Sequence, residues 1–151
     1  MENKDFNLKY GKCSFKRYPF IPEEVILESL LKEIEFNNLP SETLEALKIA
    51  WNSRFWESNG YDSSTGVKDN YEPRIAPFLH DAMYIMGYAN RRSDIIFKKL
   101  LKLTGANIWR YNRDYVGVRL FGSIFRFKHI YKGNVKIQPE YDDLYFKLKT
   151  L

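Results

Sequence analysis

The chain has 151 residues, 44% of them hydrophobic and 28% charged, which is the composition of one folded domain and not of a disordered chain. Its net charge of +5 is mildly basic for this length and does not by itself predict binding to nucleic acid. A single cysteine, Cys13, excludes an intramolecular disulfide and a cysteine-rich zinc site.

The spacing of apolar residues predicts a mainly α fold, a compact bundle of about five helices in a single domain that spans residues 1–151. Residues 1–21 are expected to form an extended, aromatic N-terminal arm, and residues 22–126 the helical core. Residues 127–151 are expected to form a short β-rich C-terminal hairpin and tail.

The first two helices are expected to form an αα-hairpin. Pro22 suits the first turn of a helix that runs to about Phe36, because no intrahelical hydrogen bond is lost there. Ser41 is expected to cap a second helix that runs to about Trp56. The polar stretch 57–72 that follows is long for a loop in a compact domain, so it is either functional or mobile.

The third helix is expected to begin at Pro73 or Pro77 and to end near Tyr88. Ser93 is expected to cap the fourth helix, with an aspartate in its first turn, where a negative charge is favoured. Gly105 is the expected C-terminal stop of this helix.

Asn107 is expected to open a fifth helix, from Ile108 to about Phe125, although two glycines leave a strand toward its end as an alternative. A short hairpin is then expected to turn at residues 132–134, before an aromatic tail at residues 141–146.

Chemistry is expected around His80, one of only two histidines, which lies in an otherwise apolar run. On a helix, His80 and Tyr84 share a face, while Asp81 points about 100° away. A short turn then places Asp94 beside the imidazole. A carboxylate there could hold one ring N–H, which leaves the other nitrogen to take a proton from water. Asp81, with oxygens of the loop that contains Asp62, could hold Ca²⁺, a cation that prefers oxygen ligands.

Two short motifs carry a resemblance. His80-Asp81-Ala82-Met83-Tyr84 resembles the His-Asp-x-x-Tyr helix of phospholipase A2 enzymes, including the compact versions in parvovirus capsid proteins. Ser93-Asp94-Ile95-Ile96-Phe97 resembles the start of their partner helix. A closer resemblance is to a family of small uncharacterised proteins of tailed bacteriophages, in which an Asp-x-x-Ser loop, here Asp62-Ser63-Ser64, precedes the two helices.

The resemblance covers about residues 60–105 and implies a role for each matching residue. His80 would be the general base, Asp94 its orienting partner, and Tyr84 a hydrogen-bond donor to Asp94. Asp81 would be a calcium ligand, and the calcium would polarise an ester carbonyl. The glycine-rich calcium loop of the phospholipases is not recognisable between residues 59 and 66.

A purely structural role is the alternative. His80 would then donate to a backbone carbonyl, Tyr84 would fill the core, and the two aspartates would pair with Arg91 or Arg92. The enzyme hypothesis requires one imidazole nitrogen within about 3.2 Å of an Asp94 oxygen and the other nitrogen at an open cleft. A His80 sealed in the core, or a His80 helix face packed on another subunit, would overturn it.

A basic stretch over residues 110–132 supplies the candidate binding residues Arg110, Arg113 and Arg119. They could bind phosphates, an anionic membrane or an acidic partner protein, or they could form a surface that contacts only solvent. Trp109, with the tyrosines near it, could stack on single-stranded bases, but its helical spacing favours packing in the core. His129 has no acidic neighbour, which favours a packing or solvent position.

Two functions therefore remain open. The first is a phage-encoded hydrolase of ester or amide bonds, for which a lipid or another ester would be the substrate. The second is a non-catalytic virion component, such as a tail or connector subunit. It would bind other virion proteins or further copies of itself through its aromatic arm and basic helix. Nucleic acid is not favoured as a partner. The polar N-terminus and the lack of a long apolar run predict synthesis in the host cytoplasm, without a signal peptide or membrane span.

Overall fold

The computed structural model of the chain describes residues 23–55, 75–87, 91–131 and 139–151. These segments contain six α-helices: α1 Glu23–Phe36, α2 Ser41–Ser53, α3 Ile75–Met86, α4 Arg91–Leu103, α5 Ile108–Tyr131 and α6 Tyr141–Lys149. The prediction of a mainly α bundle is therefore confirmed. Helix α5 has 24 residues, but no helix of these segments combines the length and the apolar composition that crossing a membrane requires.

Helix α3 lies at the centre of the bundle. It packs against α1, α2, α4 and α6, and every residue of α3 except Asp81 is buried. A helix that is apolar on all sides is stable only where neighbours cover all of them. Phe78 anchors it to α2, with its ring 5.1 Å from Phe55 and 6.0 Å from Trp51 between ring centroids. Asp81 is therefore the residue through which α3 reaches solvent.

The start of α3 is held by a side chain from α1. Glu33 accepts a hydrogen bond at its Oε2 from the backbone N–H of Ile75, at 2.8 Å. The first N–H groups of a helix have no partner within the helix, and a carboxylate there also interacts favourably with the helix dipole. This contact joins α1 to the first residue of α3.

Two predicted helix caps are wrong, although the helices themselves are present. Ser41 is the first residue of α2, and its hydroxyl contacts Glu42 and not a backbone N–H. Ser93 lies inside α4, which begins at Arg91, and it is fully buried. Its small side chain suits the tight packing there, and this requirement overrides its local preference for a cap.

The turn between α4 and α5 follows the prediction. Gly105 has a φ of +82°, and its N–H donates to the carbonyl of Lys102, while the N–H of Ala106 donates to that of Leu101. This pattern is a Schellman motif, which ends a helix at a left-handed residue. Asn107 then accepts from the N–H of Arg110 at 2.9 Å and so caps α5. The turn lets α5 fold back on α4.

The predicted β-rich tail is not found in the described residues. Residues 127–131 continue α5, and Tyr141–Lys149 form α6. Leu144 and Leu148 are both fully buried and lie on one face of α6, which packs mainly on α2. Burial of this leucine pair favours a helix over the expected extended tail. The predicted turn at residues 132–134 and the N-terminal arm lie outside the described residues.

Candidate functional site

The antiparallel packing of α3 and α4 brings His80 and Asp94 into contact. The Nε2 of His80 lies 3.0 Å from Oδ1 of Asp94. The hydroxyl of Tyr84, one turn after His80, donates to the same oxygen. All three side chains are buried. Three residues that the sequence singled out as catalytic candidates thus form one hydrogen-bonded group.

Helix α5 adds a fourth residue to this group. Nη1 of Arg119 lies 3.1 Å from Oδ2 of Asp94, and the Arg119 side chain remains 42% exposed. The sequence placed Arg119 in a basic surface and not at this site, because nothing local predicts how α5 packs on α4. The Asp94 carboxylate therefore accepts hydrogen bonds from three side chains, two of which can carry a positive charge.

The second nitrogen of His80 faces another carboxylate. Nδ1 lies 3.5 Å from Oδ1 of Asp81, and the Asp81 side chain is 31% exposed. That separation is longer than an ordinary N–H···O hydrogen bond. The rings of Tyr84 and Phe97 enclose the imidazole, with centroids at 4.1 and 4.6 Å.

The enzyme hypothesis requires one nitrogen of His80 close to Asp94 and the other at an open cleft. The first requirement is met and the second is not. An imidazole nitrogen is within hydrogen-bonding distance of Asp94. The imidazole is only 4% exposed, however, and its other nitrogen faces Asp81 instead of an open cleft. Of the described side chains that contact this group, Asp81 on the Nδ1 side and Arg119 on the Asp94 side are partly exposed.

The contacts favour the charged forms of both His80 and Asp94. Burial lowers the pKa of His80, but the hydrogen bonds and negative charges of Asp81 and Asp94 outweigh it and raise the pKa above its ordinary 6.5. Burial raises the pKa of Asp94, but hydrogen bonds from His80, Tyr84 and Arg119 bring it below 3.8. Burial and the adjacent Asp94 charge raise the pKa of Tyr84, so this hydroxyl remains a donor.

The ion pair that the structural alternative expects for Asp94 is not the one observed. Asp94 pairs with Arg119 instead of Arg91 or Arg92. Both Arg91 and Arg92 are exposed at the start of α4, and the Arg92 guanidinium lies 5.8 Å from the ring centroid of Tyr145. Asp94 points into the bundle, where only a side chain from a neighbouring helix reaches it.

The described residues do not make a calcium site. Ca²⁺ takes about six to eight oxygen ligands, and among the described residues no group of three or more His, Cys, Asp or Glu side chains is arranged to hold a metal ion. Asp81 supplies one carboxylate beside His80. Asp62, the second expected ligand, lies outside the described residues.

The other predicted binding residues are separate from this group. Nε of Arg113 contacts Asp114 at 3.0 Å, and Nε of Arg110 lies 3.8 Å from the same carboxylate. The prediction that Trp109 packs in the core is wrong, since it is 84% exposed at the start of α5. The side chain of His129 is outside the described part of α5.

Stability is expected to depend on pH through His80 and Asp94. Folding raises the pKa of His80, so its stabilisation is complete below the unfolded value of about 6.5 and is lost as the pH rises through the folded value. Folding lowers the pKa of Asp94, so its stabilisation is complete above about pH 4 and is lost as the pH falls through the folded value.

The contribution of this pair to the free energy of unfolding should therefore be largest between about pH 4 and 6.5. Urea denaturation across this range and up to pH 9 measures it. His80→Gln should remove the decline above pH 6.5. A decline of equal size in that variant would contradict the assignment to His80.

Comparison with protein-family models, with curated proteins and with solved structures found no match.

Proposed function

We propose that the protein is a hydrolase of ester or amide bonds in which His80 is the general base. The observation that supports this most is the position of the imidazole between two unlike carboxylates. Asp94 is buried and fully hydrogen-bonded, whereas Asp81 is partly exposed. A base needs one nitrogen held in place and the other available to a water molecule, so the proposal requires water to reach Nδ1 beside the partly exposed Asp81, since the imidazole itself is only 4% exposed.

The tautomer of neutral His80 follows from its partners. Both carboxylates only accept hydrogen bonds, and Nε2 is nearer to Asp94, at 3.0 Å, than Nδ1 is to Asp81, at 3.5 Å, so in the proposal the proton of the neutral ring stays on Nε2. The 3.5 Å between these two atoms leaves no room for a water between them, so in the proposal a water approaches Nδ1 from beside the Asp81 carboxylate. That position is where a general base requires the water that it deprotonates.

In the proposed reaction, Nδ1 removes a proton from this water as its oxygen forms a bond to the carbonyl carbon of the substrate. The carbonyl π electrons move to the oxygen and give a tetrahedral intermediate. Collapse breaks the bond to the leaving oxygen or nitrogen, which takes the proton back from Nδ1. His80 ends in its neutral form, and one water has been consumed.

Asp94 would stabilise the imidazolium that exists between these two proton transfers. Its charge is maintained because Tyr84 and Arg119 donate to it in addition to His80. Arg119 and Tyr84 thus act as positioning residues in the proposal, since they hold the carboxylate that holds the imidazole.

A relationship to the phospholipase A2 helix pair, and an origin in a tailed phage, rest on the sequence resemblance. The spacing of His80 and Tyr84 and their shared contact with Asp94 support that relationship. Esters, including those of lipids, are accordingly the first substrates to test, both with and without added calcium.

Replacing His80 with alanine tests the proposal. Hydrolysis of p-nitrophenyl esters and of phospholipid vesicles should fall by about 10² to 10⁴-fold, the usual contribution of a general base. In the wild type, kcat/KM should rise with pH through the pKa of His80, above 6.5, because only the neutral imidazole accepts a proton.

His129→Ala is the matched control, since it removes the chain's other histidine. It should keep both the activity and the pH profile. Assays with added CaCl₂ and with EDTA would show whether a cation contributes. Activity retained in His80→Ala would eliminate the proposed base.

A further inference from the structure

Charge is unevenly distributed between the helices. Residues 91–120 contain eight basic residues, Arg91, Arg92, Lys98, Lys99, Lys102, Arg110, Arg113 and Arg119, and only two acidic ones. Both acids, Asp94 and Asp114, are buried, and each contacts an arginine. The exposed charge of the α4–α5 hairpin is therefore entirely positive.

The outer side of α5 also exposes large apolar groups. Trp109, Arg113, Val116 and Leu120 are spaced by four, three and four residues, so they lie along one face of the helix, here called the α5 face. All four are exposed, and Leu120 is exposed to 63%. The half-buried Tyr111 and Val118 lie on the opposite side, which packs against the core.

Helix α1 presents a face of opposite charge with the same spacing. Glu24, Glu28, Leu31 and Glu35 are separated by four, three and four residues, and all are exposed. They define the α1 face. The opposite side of α1 carries the buried Ile26, Leu30 and Ile34. Glu28 also pairs with Lys32 on its own helix, at 2.7 Å.

We propose that the α5 face of one copy of this chain docks on the α1 face of a second copy. Side chains at this spacing form the ridges by which two helices pack. Arg113 would meet the glutamates, and Trp109, Val116 and Leu120 would cover Leu31. Trp and Arg are the residues most often responsible for affinity at protein interfaces.

A second copy fits this face better than nucleic acid does. A phosphate backbone would satisfy the arginines but would leave Val116 and Leu120 against charged groups. The α1 face supplies both the acidic groups and an apolar centre. Because the two faces differ, the contact is heterologous, and each copy keeps one free face of each kind. Repetition of the contact would build a ring or a filament, independently of any activity at His80.

Two variants that each disable one face test the proposal. Trp109→Asp removes the α5 anchor and places a negative charge in the first turn of α5, where the helix tolerates it. Glu24→Arg/Glu35→Arg reverses the charge of the α1 face. In sedimentation velocity over a range of concentrations, the wild type should form assemblies larger than a monomer, and each variant alone should remain a monomer.

An equimolar mixture of the two variants should form a 1:1 dimer and nothing larger, since each contributes one intact face. A symmetric α5–α5 contact would instead let the α1 variant pair with itself. Phe146→Asp, an exposed apolar position outside both faces, should assemble like the wild type. Circular dichroism and thermal melting would check that all variants fold.

A wild type that stays monomeric, or a mixture that forms no dimer, would overturn the proposal. Two further outcomes would also overturn it by identifying another partner. A monomeric wild type could bind a single-stranded oligonucleotide, or vesicles of anionic phospholipid, with Trp109→Asp losing that binding.

Discussion

Asp94→Asn is expected to lower the free energy of unfolding by about 3–5 kcal/mol, the usual result of removing one partner from a buried charge pair. The amide keeps the shape of the carboxylate but loses its charge, while Arg119 keeps its own. Its NH₂ group would also face N–H or O–H donors on at least one side. Guanidinium denaturation at neutral pH measures the loss.

The loss of unfolding free energy caused by Asp94→Asn should be smaller at high pH. Once the pH exceeds the raised pKa of His80, the imidazole is neutral and the missing charge of Asp94 matters less. Asp114→Asn provides a matched control, because Asp114 is also buried but has no hydrogen bond to its Oδ2. That substitution should cost about 1–3 kcal/mol. A cost below about 1 kcal/mol for Asp94→Asn would contradict the role of Asp94 as the group that holds the site.

Local information was sufficient for the pairing of His80 with Asp94. Their contact depends on a helical face that His80 and Tyr84 share, and on the small number of residues that separates α3 from α4. Both features are encoded within about four residues on the helix and a few in the turn.

Arg119 could not be found in this way. It lies 25 residues beyond Asp94. The contact forms only if α5 packs along α4 with one particular side of α5 turned toward α4. The choice of that side also decides whether Trp109 is buried or exposed. Apolar residues occur on both sides of α5, so the sequence pattern does not identify the buried side, and the structure buries the side opposite Trp109.

The C-terminal segment shows a different reason for a wrong prediction. Helix α6 has only nine residues, and a helix so short is not stable in isolation. Its formation depends on burying Leu144 and Leu148 against helices that lie far away in the sequence. Lys147, which contacts Glu45 of α2 at 2.5 Å, adds an exposed ion pair that contributes little by itself.

The burial of the site has a chemical consequence. In a water-poor environment, hydrogen bonds and charges act more strongly than at the surface, so the orientation of His80 is firmly fixed. The same burial limits entry of a substrate. The proposed catalysis would therefore require the Asp81 side of the site to open, because Nδ1 faces Asp81 and the rings of Phe97 and Tyr84 lie against the imidazole.

Phe97→Ala is expected to uncover the side of the imidazole against which the Phe97 ring lies. It is also expected to lower the free energy of unfolding. Phe97 is fully buried, one turn after Asp94, with its ring against the imidazole. Removing a buried phenyl ring costs about 3–5 kcal/mol, because the cavity left behind closes only in part. Water entering that cavity would hydrate the imidazolium, so the pKa of His80 should rise further, since burial is the influence that lowers it.

The measurements are guanidinium denaturation and an NMR titration of the histidine ring protons. Phe36→Ala makes the same chemical change at a side chain that is 89% exposed, and it should alter stability by no more than about 0.5 kcal/mol. It should leave the titration of His80 unchanged. If Phe97→Ala destabilised the protein but left the pKa of His80 where it was, the ring would be part of the core without shielding the imidazole. A rise in the pKa of His80 would therefore show that the packing of Phe97, on α4, affects the protonation of the imidazole.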